Sequence, residues 1–80
     1  MKIIIVGIGK VGVTLANFFS REGHDVTVID KNQKLINDVV NKYDVMGVCG
    51  NGVSLEVLDE ADIKNTDILI ASASTDETNM

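Results

Sequence analysis

The sequence predicts an α/β domain built on a doubly wound parallel sheet. Three observations carry that prediction. Residues 2–6 (KIIIV) and 67–71 (DILIA) are almost wholly aliphatic, as strands buried on both faces of a parallel sheet are. Strand-like and helix-like stretches alternate along the chain with short connections, which implies parallel strands, right-handed crossovers and helices on both faces. Glycines fall at the joints, above all in VGIGKVG, where Gly7, Gly9 and Gly12 have the spacing G-x-G-x-x-G.

The elements follow in order. Residues 2–6 form the first strand. Residues 10–22 form a helix, with Val11, Leu15, Phe18 and Phe19 at i, i+4, i+7 and i+8 as its apolar stripe and Glu22 as the stripe's charged end. Gly23 stops it, where a left-handed residue is wanted. Residues 26–30 (VTVID) form the second strand, closing on a carboxylate. Residues 32–42 form a second helix, with Leu35, Ile36, Val39, Val40 and Tyr43 on one face and Lys34, Asn37, Asp38 and Asn41 on the other. Residues 45–49 (VMGVC) make a short third strand that Gly47 weakens. Gly50-Asn51-Gly52 is a loop. Residues 54–61 make a third helix and 67–71 a fourth strand. The expected strand order is 3-2-1-4. Ser74-Thr75-Asp76-Glu77 has the form of a capping box, which announces a helix within a turn of residue 80. Doubly wound dinucleotide folds usually have six strands. The expectation is therefore an N-terminal part of one nucleotide-binding domain, truncated before its last strands or completed by another chain.

Composition narrows the function classes. Eighty residues make at most one small domain, and 45% of them are apolar, a globular composition. A net charge of −5 without a basic cluster argues against a nucleic-acid partner. No apolar run approaches the roughly 20 residues of a membrane span, and the first apolar stretch lacks a signal peptide's length and cleavage site. A single cysteine, Cys49, excludes an internal disulfide and a cysteine-cluster metal site. A cytoplasmic location is the default expectation.

The glycine spacing gains meaning from its context, between a buried strand and an amphipathic helix. Gly7 allows the tight turn, Gly9 lets the backbone approach phosphates, and Gly12 lets the helix lie close to the sheet. Ile8, Lys10 and Val11 complete the turn and the first helical residues. Their unpaired N–H groups and the helix dipole favour an anion there. No Gly-Lys-Ser/Thr of a Walker loop is present. Asp30 ends the second strand 18 residues beyond Gly12, near the spacing of about 20 expected for a ribose-binding carboxylate. Such a group accepts bonds from ribose hydroxyls and repels a 2′-phosphate, which favours NAD or another unphosphorylated adenosine ribose over NADP. Lys31, beside it, is a cation able to accept a phosphate. The plain alternative is a structural strand-turn-helix joint with an exposed Asp30.

Further along, Gly50-Asn51-Gly52 either flanks an adenine or forms an ordinary turn. Ser72, Ala73 and Ser74 could meet phosphates or a distal ribose, or Ser74 simply caps a helix. His24 reads as a surface residue at the far end of the sheet, and Cys49 as a buried structural thiol. Phe18 and Phe19 read as core packing or a subunit contact. Asp76 and Glu77 favour a helix N-terminus rather than a metal. No general base, nucleophile or hydride-transfer partner is identifiable.

The stretches MKIIIVGIGKVG, GHDVTVIDKN, CGNGVSLEVLDEADI and TDILIASASTDETNM together resemble the N-terminal nucleotide-binding, Rossmann-type domain of the regulator-of-potassium-conductance family. They resemble especially the cytoplasmic regulatory subunits of Trk-type potassium uptake systems. That resemblance implies phosphates on Gly7 to Gly12 and the adenosine ribose on Asp30, helped by Lys31. It places the adenine against Cys49, Gly50 and Asn51, with Ser72 to Ser74 facing the rest of the ligand. It also implies a sensor of NAD(H) or of ATP and ADP, and a homodimer or larger ring attached to a membrane potassium transporter or channel. The chain would then lie peripheral to the inner face of the membrane, with no insertion of its own. Asn51 stands where the family often has an acid, and Ala73 where it often has threonine. Three functions compete: a ligand-sensing regulatory domain, the cofactor domain of an NAD-dependent oxidoreductase, and a scaffold that binds nothing.

Overall fold

The computed structural model describes residues 1–52 and 54–71. Its elements run β1 (Lys2–Val6), α1 (Lys10–Arg21), β2 (Asp25–Asp30), α2 (Gln33–Lys42), β3 (Met46–Cys49), α3 (Leu55–Glu60), a single 3-10 turn (Ile63–Asn65) and β4 (Ile68–Ala71). Among the described residues the four strands form one sheet in the order β3-β2-β1-β4, every neighbouring pair parallel. This is the expected strand order, and the architecture is Rossmann-like. The 3-10 turn was not foreseen.

β1 occupies the middle of the sheet, and its side chains alternate between two cores. Ile3 and Ile5 face a larger cluster with Ile8, Ala16, Val26, Val28, Ile36 and Val39, on the side covered by α1 and α2. Ile4 faces a smaller one with Ile29 and Ala61, closed by Val57, Leu58 and Ile63 from α3 and the 3-10 turn. The aliphatic run is therefore continuous because both faces of the strand are dry. Each fully buried isoleucine contributes about 1.5–3 kcal/mol by leaving water.

α1 meets the sheet through small residues. Gly12 and Ala16 are buried, with Val13, Leu15 and Phe19 packed beside them, whereas Val11 and Phe18 are exposed. The helical stripe thus turns partly outward, because close approach at Gly12 and Ala16 decides which side faces in. In α2, Ile36 and Val39 are buried while Leu35 and Val40, expected on the same apolar face, are exposed. α1 ends as expected. Gly23 has φ +88°, its N–H donates to the Ser20 carbonyl at 3.2 Å, and the His24 N–H donates to Phe19 at 3.1 Å, which together form a Schellman closure.

Gly47 has a packing reason to be glycine. A Cβ there would stand 2.6 Å from Ile36 Cγ2 and 2.7 Å from Val40 Cγ2, so α2 lies directly on the β3 backbone. Gly47→Ala is expected to destabilise the chain by about 1–3 kcal/mol through overpacking. Urea denaturation checks this; a loss below about 0.5 kcal/mol, the range of an ordinary surface change, would mean that α2 is not seated there.

The far end of the sheet is fixed by polar contacts. The Lys2 N–H donates to Asp67 Oδ2 at 2.8 Å, and Lys2 Nζ pairs with Asp62 Oδ2 at 3.0 Å. Asp62 has a left-handed backbone, φ 67°. Hydrogen bonds from Lys2 and Asn65 hold its carboxyl below the usual carboxylate range.

Candidate functional site

Because the strands are parallel, their C-terminal ends share one rim, where ligands of such sheets bind. There β1 runs into the glycine turn, β2 ends at Asp30 and β3 at Cys49. The Gly7 N–H still donates to the Ile29 carbonyl at 2.8 Å, so the turn leaves the sheet while paired to β2. Gly7 has φ +90°, a conformation that costs other L-residues about 1–2 kcal/mol. Gly9 is different. It is the N-cap of α1 with φ −80° and ψ −169°, an extended backbone open to any residue.

The two long helices begin differently. At α2 the Asn32 side chain caps the helix, accepting N–H bonds from Lys34 at 3.0 Å and Leu35 at 3.3 Å. At α1 no side chain caps the N-terminus and the first turn carries no acid. The amides of Lys10, Val11 and Gly12, which lie in that first turn, have no i−4 carbonyl within the helix. With the partial positive charge of the helix end they form a place for an anion.

Asp30 ties this turn to its neighbours. Its Oδ2 accepts the Ile8 N–H at 2.9 Å and its Oδ1 accepts the Asn32 N–H at 2.9 Å. Its carbonyl accepts the Gly50 N–H at 2.9 Å. One residue thereby joins the glycine turn, the entry to α2 and the loop after β3. Each carboxylate oxygen has two lone-pair directions, so each keeps room for a hydroxyl donor. The set fits an adenosine nucleotide: backbone donors for phosphate, a carboxylate for two ribose hydroxyls, and a negative charge opposed to a 2′-phosphate.

The loop after β3 corrects one expectation. Cys49 is exposed, not buried: it ends an edge strand, and its Sγ donates to the Lys31 carbonyl at 3.4 Å. The two loop glycines are packing glycines. A Cβ on Gly50 would stand 2.6 Å from Val57 Cγ2, and one on Gly52 would overlap the Val6 side chain. Close packing against α3 and the end of β1 therefore accounts for both. Asn51 lies exposed between them, its carbonyl accepting the Ser54 N–H at 2.9 Å.

Of the residues read from the sequence, the structure gathers Gly7, Ile8, Gly9, Lys10, Val11, Gly12, Asp30, Lys31, Cys49, Gly50 and Asn51 at this rim. Lys10, Val11 and Lys31 are exposed there. Ile8 contributes differently from expectation, since its side chain is buried and its amide is committed to Asp30. Ser72, Ala73 and Ser74, and the capping box at 74–77 with Asp76 and Glu77, lie outside the described residues. Asn32 was missed as part of the site, although Asp-x-Asn before an amphipathic run is an N-cap signal. His24 lies at the other end, its Nδ1 3.1 Å from the N-terminal amine. A cleft of about 200 Å³ opens there between Lys2, His24, Asp25 and Asp44, and no residue of the rim lines it.

Comparison with known proteins fits this geometry. The TrkA-N domain family model matches residues 3–80. A Trk system potassium uptake protein TrkA homolog of Methanothermobacter thermautotrophicus is 40% identical over all 80 residues, which cover 37% of its length. The Trk system potassium uptake proteins TrkA of Vibrio alginolyticus and Halomonas elongata are 44% and 42% identical over the same 80 residues, 18% of each. The chain thus spans well under half the length of these curated relatives. Its glycine turn, its sheet order and the family match over residues 3–80 agree, and the chain belongs to the TrkA-N domain family.

Proposed function

We propose that these 80 residues are the N-terminal part of a nucleotide-binding domain that regulates a membrane potassium-uptake system. NAD(H) is the first candidate ligand, with ATP and ADP as alternatives. The observation that carries the reading is Asp30: a carboxylate at the end of β2, bonded at 2.9 Å to the middle of the glycine turn, beside a helix N-terminus with no side-chain cap. Phosphates would take the amides of Lys10, Val11 and Gly12, the ribose Asp30, and the adenine the surface at Cys49 to Asn51. Ser72 to Ser74, beyond β4, would meet the rest of the ligand.

A regulatory rather than catalytic role is supported by the relatives, which are named for potassium uptake. In that role the domain lies on the cytoplasmic face, peripheral to the membrane, and assembles as a homodimer or larger ring on a transporter or channel subunit. No helix among the described residues is long and apolar enough to cross a membrane. Bound nucleotide would act by favouring one of two arrangements of the assembly, which requires a difference in affinity between them.

Calorimetric titration with NAD, NADH, ATP, ADP and NADP tests the reading. At least one nucleotide with a free ribose 2′-hydroxyl is expected to bind, and NADP about tenfold or more weaker than NAD, since like charges brought together cost more than the 1.4 kcal/mol that tenfold requires. Binding of none, or NADP binding as tightly as NAD, would overturn it.

A further inference from the structure

We propose that Asp30 has a second task, as the positioning residue that braces the glycine turn before any ligand arrives. The turn needs one. Ile8 sits between two glycines, the residues with the widest backbone freedom, and Gly7 is held at φ +90°. Ile8 is fixed at two points: its side chain is 3% exposed in the larger core, and its N–H reaches Asp30 Oδ2 at 2.9 Å. The other carboxylate oxygen holds the Asn32 N–H at 2.9 Å, and Asn32 in turn caps α2 through Lys34 and Leu35. Asp30 itself is anchored in the sheet, opposite Cys49 in the parallel register, with its carbonyl on the Gly50 N–H. A continuous path of bonds therefore runs from the glycine turn through one carboxylate to the start of α2. Bonds from N–H groups to an ionised carboxylate are stronger than neutral ones.

The consequence for binding rests on the nucleotide reading above. A braced turn offers its amides to phosphate already ordered, and ordering at the moment of binding would weaken affinity. Asp30 then contributes twice, once to the ribose and once to the phosphate turn. A ligand without ribose hydroxyls still depends on it.

The test uses the full chain as wild type, Asp30→Asn and Asp30→Ala. Amide hydrogen exchange is measured first without nucleotide, with the Val28 amide in β2 as an internal reference for global opening. The Ile8 amide of Asp30→Ala is expected to exchange about tenfold faster or more relative to Val28, as loss of one charge-assisted bond implies. Asp30→Asn is expected to fall between, since its single side-chain oxygen keeps an acceptor while its NH2 group cannot accept; it also carries the measurement if Asp30→Ala does not fold. Unchanged exchange at Ile8, or a rise shared equally by Val28, overturns the brace. Affinities for ADP and 2′,3′-dideoxy-ADP are measured next. A brace weakens both in Asp30→Asn; a ribose contact alone weakens only ADP, and that outcome overturns the proposal. If the wild type binds neither ADP nor any other nucleotide, the function proposed above fails while the exchange result still decides the brace.

Discussion

Gly9→Asp is expected to raise the stability of the chain and to remove the nucleotide binding proposed above. The two effects have opposite signs because they draw on the same amides. Gly9 is an N-cap with an extended backbone that aspartate adopts without strain. Its carboxylate would accept the free first-turn N–H groups of α1 and sit at the positive end of the helix dipole. Together these contribute about 0.5–1 kcal/mol, or roughly 2–8 °C in Tm for a domain of this size. A phosphate would meet those donors already taken and a negative charge in its place. Like charges set together cost several kcal/mol, so affinity is expected to fall about 100-fold or more. Thermal denaturation and calorimetry on the same sample read both effects. A scaffold that binds nothing would show only the gain in stability, and an affinity that survives the substitution would remove α1 from the site.

The largest effect on stability is expected from Ile4→Ala. Ile4 is fully buried at the centre of the middle strand, in the smaller cluster with Ile29 and Ala61. Truncation leaves a cavity between the sheet and α3 and costs about 2–5 kcal/mol. An 80-residue domain has only about 4–12 kcal/mol in total, so this one truncation removes a large share of the stability. Met46→Ala, on a side chain 68% exposed at the edge of the sheet, is expected to cost about 0.5 kcal/mol or less. Urea denaturation compares the two; equal losses would place Ile4 outside the core.

What could be read from the sequence was what local pattern encodes. Aliphatic runs and a helix stop at Gly23 fixed the element order, and the alternation of strand and helix led to the sheet order, because parallel crossovers leave few topologies. The glycine spacing and Asp30 marked the rim for the same reason: the C-terminal ends of parallel strands must meet there. What was missed depends on packing between elements distant in sequence. Periodicity put Val11 and Phe18 on the apolar stripe of α1, with core packing or a subunit contact open for Phe18. The depth of contact at Gly12 and Ala16 turns both outward and rules out core packing for them. Cys49 read as buried because it ends an apolar stretch, yet β3 is an edge strand and leaves it exposed. Gly47, Gly50 and Gly52 looked like breaks or ligand clearances. Each instead has a named side chain against it: Ile36 and Val40, Val57, and Val6. The bonds from Asp30 to the Ile8 and Asn32 amides are invisible in spacing, since backbone donors have no residue code.

The proposed function requires a nucleotide to dock at the rim formed by the glycine turn, Asp30 and the loop after β3. Backbone amide NMR of the full chain titrated with NAD or ADP tests it most directly. The shifted amides are expected to cluster at residues 7–12, 30–32 and 49–51, with those of Lys2, His24, Asp25 and Asp44 at the far end unmoved. Saturable shifts confined to the far end, or no shifts with any nucleotide at millimolar concentration, would contradict it.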